Sequence, residues 1–444
     1  MVPSSNSVHT LESLRCLINE SLNIVEKSIL DHNDPELSLD SCESHPVHSR
    51  LQADLEVALK TISSATNMLR SLCDPNTYLN DTIYGYHDET ALFIACQADI
   101  ANHLGKEELS IQELAQKTGL NEEKLARYLR NLCNKQIFRE TANNRFANNF
   151  LSVTFQSEGK RALVGHCADE CRTSSSKAWE ALVHPDYKDA TEANKAPFNL
   201  AYDTDLTVFE WVKSVRPDIG QRANTAMAGK GLNLEQYLTL YPWHSEGTKT
   251  IIDVGGGVGA GTLPIMKENP NLHLRVQDRP ESYLNSADPA DITHQYLKNS
   301  YPEFEQSDRV KFVGHDFFTP QQEAGDIYFL RHVIHDWPDE EARQILSNCA
   351  AKMSLGNKLL ILEHMLAPTY RDTSQSSFEV APQPLLANWG QSVVSRLDLQ
   401  MLACLNAKER TETQYRALVD STGLKVVRVW RNAGLDTVLE CIKA

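Results

Sequence analysis

Three features of the sequence predict an α/β protein built on a mostly parallel sheet of seven strands, with a helical N-terminal part added to it. The first is the alternation of short apolar runs with amphipathic runs from Thr250 onward, the pattern of a parallel sheet covered on both faces. The second is a glycine turn, Gly255 to Gly259, set directly after one of those apolar runs. The third is a series of amphipathic helical patterns with capping signals ahead of the sheet, between Leu11 and Cys133.

Composition frames these features. A chain of 444 residues has room for about three domains, and 41% apolar content is ordinary for a protein with a real core. The formal charge of −16 argues against general nucleic-acid or anionic-membrane binding, since both partners would be repelled. The ten cysteines form no C-x-x-C pair, and Cys167 and Cys171 lack a histidine cluster to complete a zinc site, so they read as reduced core thiols. The N-terminal residues hold no apolar signal core, and no run approaches the ~20 apolar residues of a membrane span. Together these features predict a soluble, cytoplasmic protein.

From the N-terminus, Leu11, Leu14, Leu17, Ile18, Leu22 and Val25 recur at helical spacing, and a polar, turn-rich linker follows. Leu51, Leu55, Ala58, Leu59, Ile62 and Leu69 mark a second amphipathic helix, a packing or dimer element. Between Asp88 and Leu151 come three short helices and a hairpin, with a Ser110–Glu113 capping box and a helix start at Asn121, which is a winged-helix arrangement. Lys124, Arg127, Arg130 and Lys135 would be its DNA contacts, but Glu122 and Glu123 at the helix start would face phosphate, favouring a dimerisation or lid role. The expected boundaries are 1–75 for the N-terminal helices and linker, 76–160 for the winged-helix domain and 161–444 for the sheet domain.

Seven strands are legible in that last domain: I-I-D-V, H-L-R-V-Q-D, V-K-F-V-G-H-D, D-I-Y-F-L-R-H-V, K-L-L-I-L-E-H, K-V-V-R-V-W and T-V-L-E-C-I, the last two close enough for an antiparallel edge hairpin. Ligands of such sheets sit at the carboxyl ends of the strands. Asp253 ends the first strand and Gly255, Gly257 and Gly259 open the turn after it, while Asp278 ends the second strand near the roughly 20-residue spacing at which a carboxylate meets a ribose diol. The spacing is G-x-G-x-G with an acid two residues upstream, which suits an ammonium better than a pyrophosphate. A donor with an amino-acid end, a ribose and an adenine satisfies both carboxylates, pointing to S-adenosyl-L-methionine over a nicotinamide cofactor.

The third strand ends at Asp316 and Phe317, where an adenine would lie between an acceptor and a stacking ring, although a capping aspartate reads equally well there. The fourth ends in L-R-H-V-I-H-D-W-P-D-E-E, in which Pro338 opens a helix with acids in its first turn. His332 and His335 lie three apart without a carboxylate-rich partner pattern, so no metal site is expected from that pair. His335 instead stands beside Asp336 and Trp337, in the crevice where a cofactor's reactive atom belongs.

D-V-G-G-G-V-G, V-Q-D, G-H-D-F-F, R-H-V-I-H-D-W, I-L-E-H and A-K-E-R-T-E, in this order and spacing, resemble the small-molecule O-methyltransferases of plants and fungi, and most of all the fungal secondary-metabolism branch. The similarity runs from about Asp88 to the C-terminus, so it implies a Rossmann-like methyltransferase domain, a winged-helix dimerisation domain and a homodimer. It implies that Gly255 approaches the methionine part of the cofactor, that Asp278 holds the ribose and that Asp316 and Phe317 hold the adenine. Arg331 falls where the family usually has lysine, a departure that keeps charge and changes geometry. His335 matches the family's catalytic base, Glu363 and Glu409 match the two acids that flank and orient it, and Asp336 bounds the same pocket.

The chemistry accounts for those residue types. The electrophilic carbon of a sulfonium is already activated, so the protein must align donor and acceptor and deprotonate the acceptor. A neutral imidazole can take the proton of a phenol of pKa near 10 as its oxygen attacks, with a carboxylate on the far ring nitrogen fixing the tautomer. No metal is required by this scheme. The helix before A-K-E-R brings Trp389, Asp398, Met401 and Leu402 near a flat aromatic acceptor, and of these Asp398 and Met401 read as acceptor contacts and the others as core. The loop from 367 to 387 reads equally as a lid or as a surface insertion. Two rival functions remain open: methyl transfer to nitrogen or carbon on the same fold, and a non-catalytic, cofactor-sensing winged-helix regulator.

Overall fold

The computed structural model describes residues 6–229, 234–280, 292–371, 379–390, 392–431 and 434–444. The chain divides into two compact units, one of Met1–Thr173, Val215–Gly231 and Pro368–Gln391, the other of Ser174–Ser214, Leu232–Ala367 and Ser392–Ala444. Residues 372–378 of the candidate lid loop lie outside the described residues. Among the described residues no helix is long and apolar enough to cross a membrane.

In the first unit the helices Asn6–Asp31 and Ala53–Cys73 pack together, with Leu14, Ala65, Ala381, Leu385 and Trp389 forming one apolar cluster. Trp389 is thus core of this unit, its indole N–H donating to the Thr61 hydroxyl at 3.2 Å. The helix Pro75–Ile83, started by Asp74 and by Pro75 at its first position, was not apparent from the pattern because its apolar residues stay exposed.

The winged-helix part comprises the helices Gly85–Gln97, Ile111–Thr118 and Glu122–Asn134 around Leu104, Ile111, Leu114, Leu129 and Phe146. Ser110 and Glu113 form the capping box, and Asn121 caps the third helix through the Lys124 amide. Strands β1 (Glu108–Ser110), β2 (Arg139–Ala142) and β3 (Arg145–Ala147) lie in the order β1-β3-β2. The hairpin β2–β3 matches the expectation, whereas β1 is three residues long and too short to show a period. The run from Glu89 to Leu104, expected as one helix, breaks at Asp99, whose φ of 51° is a left-handed conformation that a short polar side chain tolerates. Of the basic residues on the third helix and just after it, Arg130 pairs with Glu140 and Lys135 with Asp88.

The second unit is built on the strands β4 (Thr250–Val254), β5 (His273–Asp278), β6 (Val310–Gly314), β7 (Ile327–Arg331), β8 (Lys358–His364), β9 (Leu424–Arg431) and β10 (Asp436–Lys443). Their order is β6-β5-β4-β7-β8-β10-β9, with β4 to β8 parallel and β10 antiparallel to both of its neighbours. All seven strands fall where the apolar runs place them, and β9 and β10 form the hairpin with β9 outermost. Ile251, Leu274, Phe329 and Leu360 are fully buried, as a sheet covered on both faces requires. The chain leaves β4 toward β5 on one side and, after returning from β6, leaves the neighbouring β7 toward β8 on the other, so the carboxyl ends of β4 and β7 flank the crevice where such sheets bind ligands.

Candidate active site

The glycine turn after β4 is held from β5. The amides of Gly255 and Gly256 both donate to the Gln277 carbonyl at 2.8 and 2.9 Å, and the Gly257 amide donates to Asp278 Oδ2 at 2.9 Å. Gly255, Gly257 and Gly259 have φ values of 75°, 57° and 78°, which only glycine adopts without strain. A Cβ on Gly255 would come within 3.0 Å of Val333 and 3.5 Å of the Phe317 ring, whereas one on Gly257 would meet nothing within 4 Å. The turn is therefore tight at Gly255 and again at Gly259, where a Cβ would meet Leu263 at 3.2 Å, and open between them at Gly257.

Asp253 lies beneath this turn at 2% exposure, its Oδ2 accepting the Thr262 hydroxyl at 2.6 Å, and burial pushes its carboxyl up to about 7. Asp278 also accepts the Arg279 amide at 2.8 Å. At the end of β6, Asp316 is exposed and accepts the Phe318 amide at 2.9 Å, so the capping bond is made, while Phe317 turns its ring toward Gly255. Arg331 at the end of β7 lies 5.5 Å over the Tyr237 ring, and its Nε is buried with no hydrogen-bond partner among the described residues. An unpartnered guanidinium N–H packed against Gly261, two residues past the turn, fits a ligand carboxylate, and Asp278 and Phe317 fit a ribose and a flat base. The residues present thus fit the donor expected from the sequence.

Past β7 the chain enters a tight turn, Ile334–Asp336, that carries His335. Glu363 Oε1, from β8, accepts three successive amides, Val333 at 3.1 Å, Ile334 at 2.8 Å and His335 at 3.3 Å. Arg410, fully buried, clamps the same turn from the other side by donating to the Ile334 carbonyl at 2.9 Å, the Trp337 carbonyl at 2.8 Å and the Asp339 carboxylate at 2.7 Å. Glu409 Oε1 sits 2.8 Å from His335 Nδ1, and Asp336 Oδ1 is 3.5 Å from Nε2. Burial alone would lower the pKa of His335, but Glu363, Asp336 and Glu409 outweigh it and hold the imidazole up at about 10, above the ordinary value that the sequence reading assumed. Burial likewise raises Glu363 to about 7.

The two glutamates therefore differ. Glu409 touches the ring, while Glu363 Oε2 stays 3.7 Å from Nδ1 and its other oxygen organises the backbone. Asp398 Oδ1 accepts the Glu409 amide at 2.9 Å, so it supports the ring's partner, and burial raises its pKa. Met401 is buried at 6% exposure on the helix Ser392–Leu405, while Leu402 is exposed. Trp337 meets Phe318 and Phe317 edge-on and stacks on Phe209, an aromatic wall of which the sequence reading assigned only Phe317. Arg410 was missed as well, and its adjacency to Glu409 in A-K-E-R was the one available signal.

Residues 185–425 match the O-methyltransferase domain model, and residues 80–158 match the O-methyltransferase dimerisation domain model. The chain is 30% identical over 430 residues to the O-methyltransferase tpcA of Aspergillus fumigatus, covering 87% of this chain and 86% of that relative. Its structure is similar to that of OxaC in complex with SAH and oxaline, with a TM-score of 0.70 and 20% identity over 97% of this chain and 100% of that one. It is similar also to a structure described as a pericyclic reaction enzyme, with a TM-score of 0.71 and 19% identity over 96% of this chain and 100% of that one. At such identity the two structural likenesses speak for the fold alone.

Proposed function

This chain belongs to the O-methyltransferase family, and we propose that it transfers a methyl group from S-adenosyl-L-methionine to a phenolic hydroxyl of an aromatic or polyketide-type metabolite, with His335 as the general base. The observation that carries this reading is the His335–Glu409 contact of 2.8 Å inside a turn held by three amide bonds to Glu363. A fold shared with a pericyclic reaction enzyme does not choose a chemistry, but a buried, oriented imidazole at the carboxyl end of β7 suits an acceptor that must lose a proton.

The donor supplies a methyl group already activated on a sulfonium sulfur. Gly257, with open space beside it, and the neighbouring Gly255 would take its amino-acid end, Arg331 Nε would meet its carboxylate, Asp253 would face its charge from beneath the turn, Asp278 would accept from the ribose, and Asp316 and Phe317 would take the adenine. Glu409 accepts the Nδ1 proton, which leaves Nε2 free to take a proton from the acceptor, and Asp336 beside Nε2 helps to hold the imidazolium that forms. Met401 and the Phe318–Trp337 pair would bound the acceptor, and Asp398 acts through Glu409.

An imidazole whose pKa the surrounding carboxylates raise suits a phenol better than an alkyl alcohol. A phenol, with a pKa near 10, gives its proton to such a base at modest cost, whereas an alkyl hydroxyl is a far weaker acid. The same carboxylates favour the protonated ring, and a positive charge brought into the same pocket opposes them and shifts it toward the base form.

The winged-helix unit is read as a dimerisation module, its exposed Leu79, Ile83, Tyr84 and Tyr86 covered by a second copy, with neither DNA nor membrane as partner. A panel of phenols with labelled donor tests the reading: wild type should methylate at oxygen, and His335→Ala should bind donor normally yet lose about 10²- to 10⁴-fold in turnover. Retained turnover in His335→Ala, or product labelled on nitrogen or carbon, would overturn it.

A further inference from the structure

A second cluster of imidazoles and a carboxylate lies beside the turn without belonging to the proton path. His364 closes β8 and Asp436 opens β10, and the two are directly paired across the antiparallel ladder, so their side chains share one face. His332 follows β7 with a φ of 51°, a left-handed backbone that few residues adopt, while its amide still donates to the Leu362 carbonyl at 3.0 Å. The three strand ends deliver their polar atoms to one point. His332 Nε2 is 3.1 Å and His364 Nδ1 is 3.0 Å from the same oxygen, Asp436 Oδ1, and the three ligand atoms lie within 4.8 Å of one another.

A plain hydrogen-bonded pair would aim its N–H at the oxygen. Here His364 Nδ1 and Asp436 Oδ1 are both buried and neither completes a properly angled hydrogen bond, although His364 is only 7% exposed. Atoms that are close but off-axis are what ligands around a shared centre show: bonds of about 2.0–2.1 Å in a tetrahedron set neighbouring ligand atoms about 3.3 Å apart. Glu363 Oε2 stands 3.9 Å from the far nitrogen of His332, beyond hydrogen-bond reach but on the side from which a carboxylate backs a metal-bound imidazole. The sequence pairs His332 with His335, three residues on, whereas the fold pairs it with His364 and Asp436.

We propose that His332, His364 and Asp436 bind one divalent transition-metal ion of the zinc class, with water in the fourth position. Two imidazole nitrogens and a carboxylate oxygen suit a borderline cation and not magnesium or calcium, which take mostly oxygen. Asp436, with its side chain 23% exposed, gives water and metal a way in. The ion ties the ends of β7, β8 and β10 together next to the turn that carries His335, and it stands independently of the methyl-transfer reading.

The test uses the full, tag-free chain stripped with chelator and then titrated with Zn2+ and, separately, Co2+. The expected result is about one Zn2+ per chain, a melting temperature that rises with Zn2+, and visible absorption bands of four-coordinate cobalt. His364→Gln and Asp436→Asn should each weaken Zn2+ binding at least about tenfold, while His87→Gln on the exposed surface of the other unit leaves it unchanged. Uptake well below one ion per chain by wild type, or the spectrum of hydrated cobalt alone, would overturn the proposal. Undiminished uptake by both folded variants would do the same, and if the variants fail to fold, the wild-type stoichiometry and cobalt spectrum decide.

Discussion

Oε1 of Glu409 lies 2.8 Å from Nδ1 of His335, although 74 residues separate the two in sequence. A carboxylate that only accepts puts the hydrogen on Nδ1, and Nε2 is left as the nitrogen that can take one. Glu409→Gln keeps the shape and removes the charge. It should lower the limiting kcat by about 10- to 100-fold, since an amide can present its N–H to Nδ1 and stabilise the wrong tautomer. A steady-state assay with saturating donor checks this, and a full-rate Glu409→Gln enzyme would leave the pair without a catalytic role.

The pH profile follows from the same group. His335 is held at about 10 by Glu363, Asp336 and Glu409, and the base works only when neutral, so kcat/KM of wild type should rise with pH through a midpoint well above 6.5. Removing a carboxylate removes a term that stabilises the imidazolium, so Asp336→Asn should move the midpoint down, toward neutrality. Its activity relative to wild type should therefore look best at low pH. A midpoint unmoved in Asp336→Asn would mean that another group sets the limb.

Glu363 should behave as a fastening more than as a ring partner. Three amides converge on its Oε1, and Glu363→Ala strands all three in a buried site, each stranded donor costing about 1–3 kcal/mol. Glu363→Gln still offers an acceptor oxygen and should recover most of the melting temperature. Differential scanning calorimetry of the two variants separates the roles, because equal losses would point to charge and not to the amide bonds.

The sequence made the sheet legible because each strand carries a local signal, an apolar run bounded by turn residues. H-L-R-V-Q-D and K-L-L-I-L-E-H coincide with β5 and β8 residue for residue. The residues at strand ends were legible for the same reason, since the end of a strand is visible in the chain. What the sequence hid were contacts that depend on register between distant segments: Arg410 against the carbonyls of Ile334 and Trp337, and Asp436 opposite His364. Asp99 was hidden for another reason. A single left-handed residue inside a helical pattern leaves the apolar period almost intact.

Packing of the first unit yields a stability prediction. The helix Glu158–His166 crosses the helix Pro217–Ala228 and its cap so closely at Gly159 that an added Cβ would stand 2.4 Å from the Gly229 Cα. Backbone cannot move aside as a flexible side chain can. Gly159→Ala should cost about 1–3 kcal/mol and lower the melting temperature by several degrees, whereas Gly85→Ala, with nothing within 4 Å, should be neutral or slightly stabilising. Equal melting curves for the two variants would show that the helices separate without cost.

Arg331 provides the sharpest test of how the donor is held. Its charge alone could be supplied by lysine, which is what the family usually carries, but only arginine has the Nε–H that the structure leaves buried and unpartnered. If that N–H meets the carboxylate of the donor, Arg331→Lys should weaken S-adenosyl-L-methionine binding by about tenfold and Arg331→Ala by more, because a hydrogen bond to a charged group contributes roughly 1.5–3 kcal/mol. An analogue without the amino-acid end, 5′-methylthioadenosine, should bind all three proteins alike, since it leaves Arg331 unused in each. Calorimetric titrations give both numbers. Were the analogue to lose affinity in parallel with the full donor, Arg331 would be shaping the adenosine pocket, and its buried N–H would have some other partner.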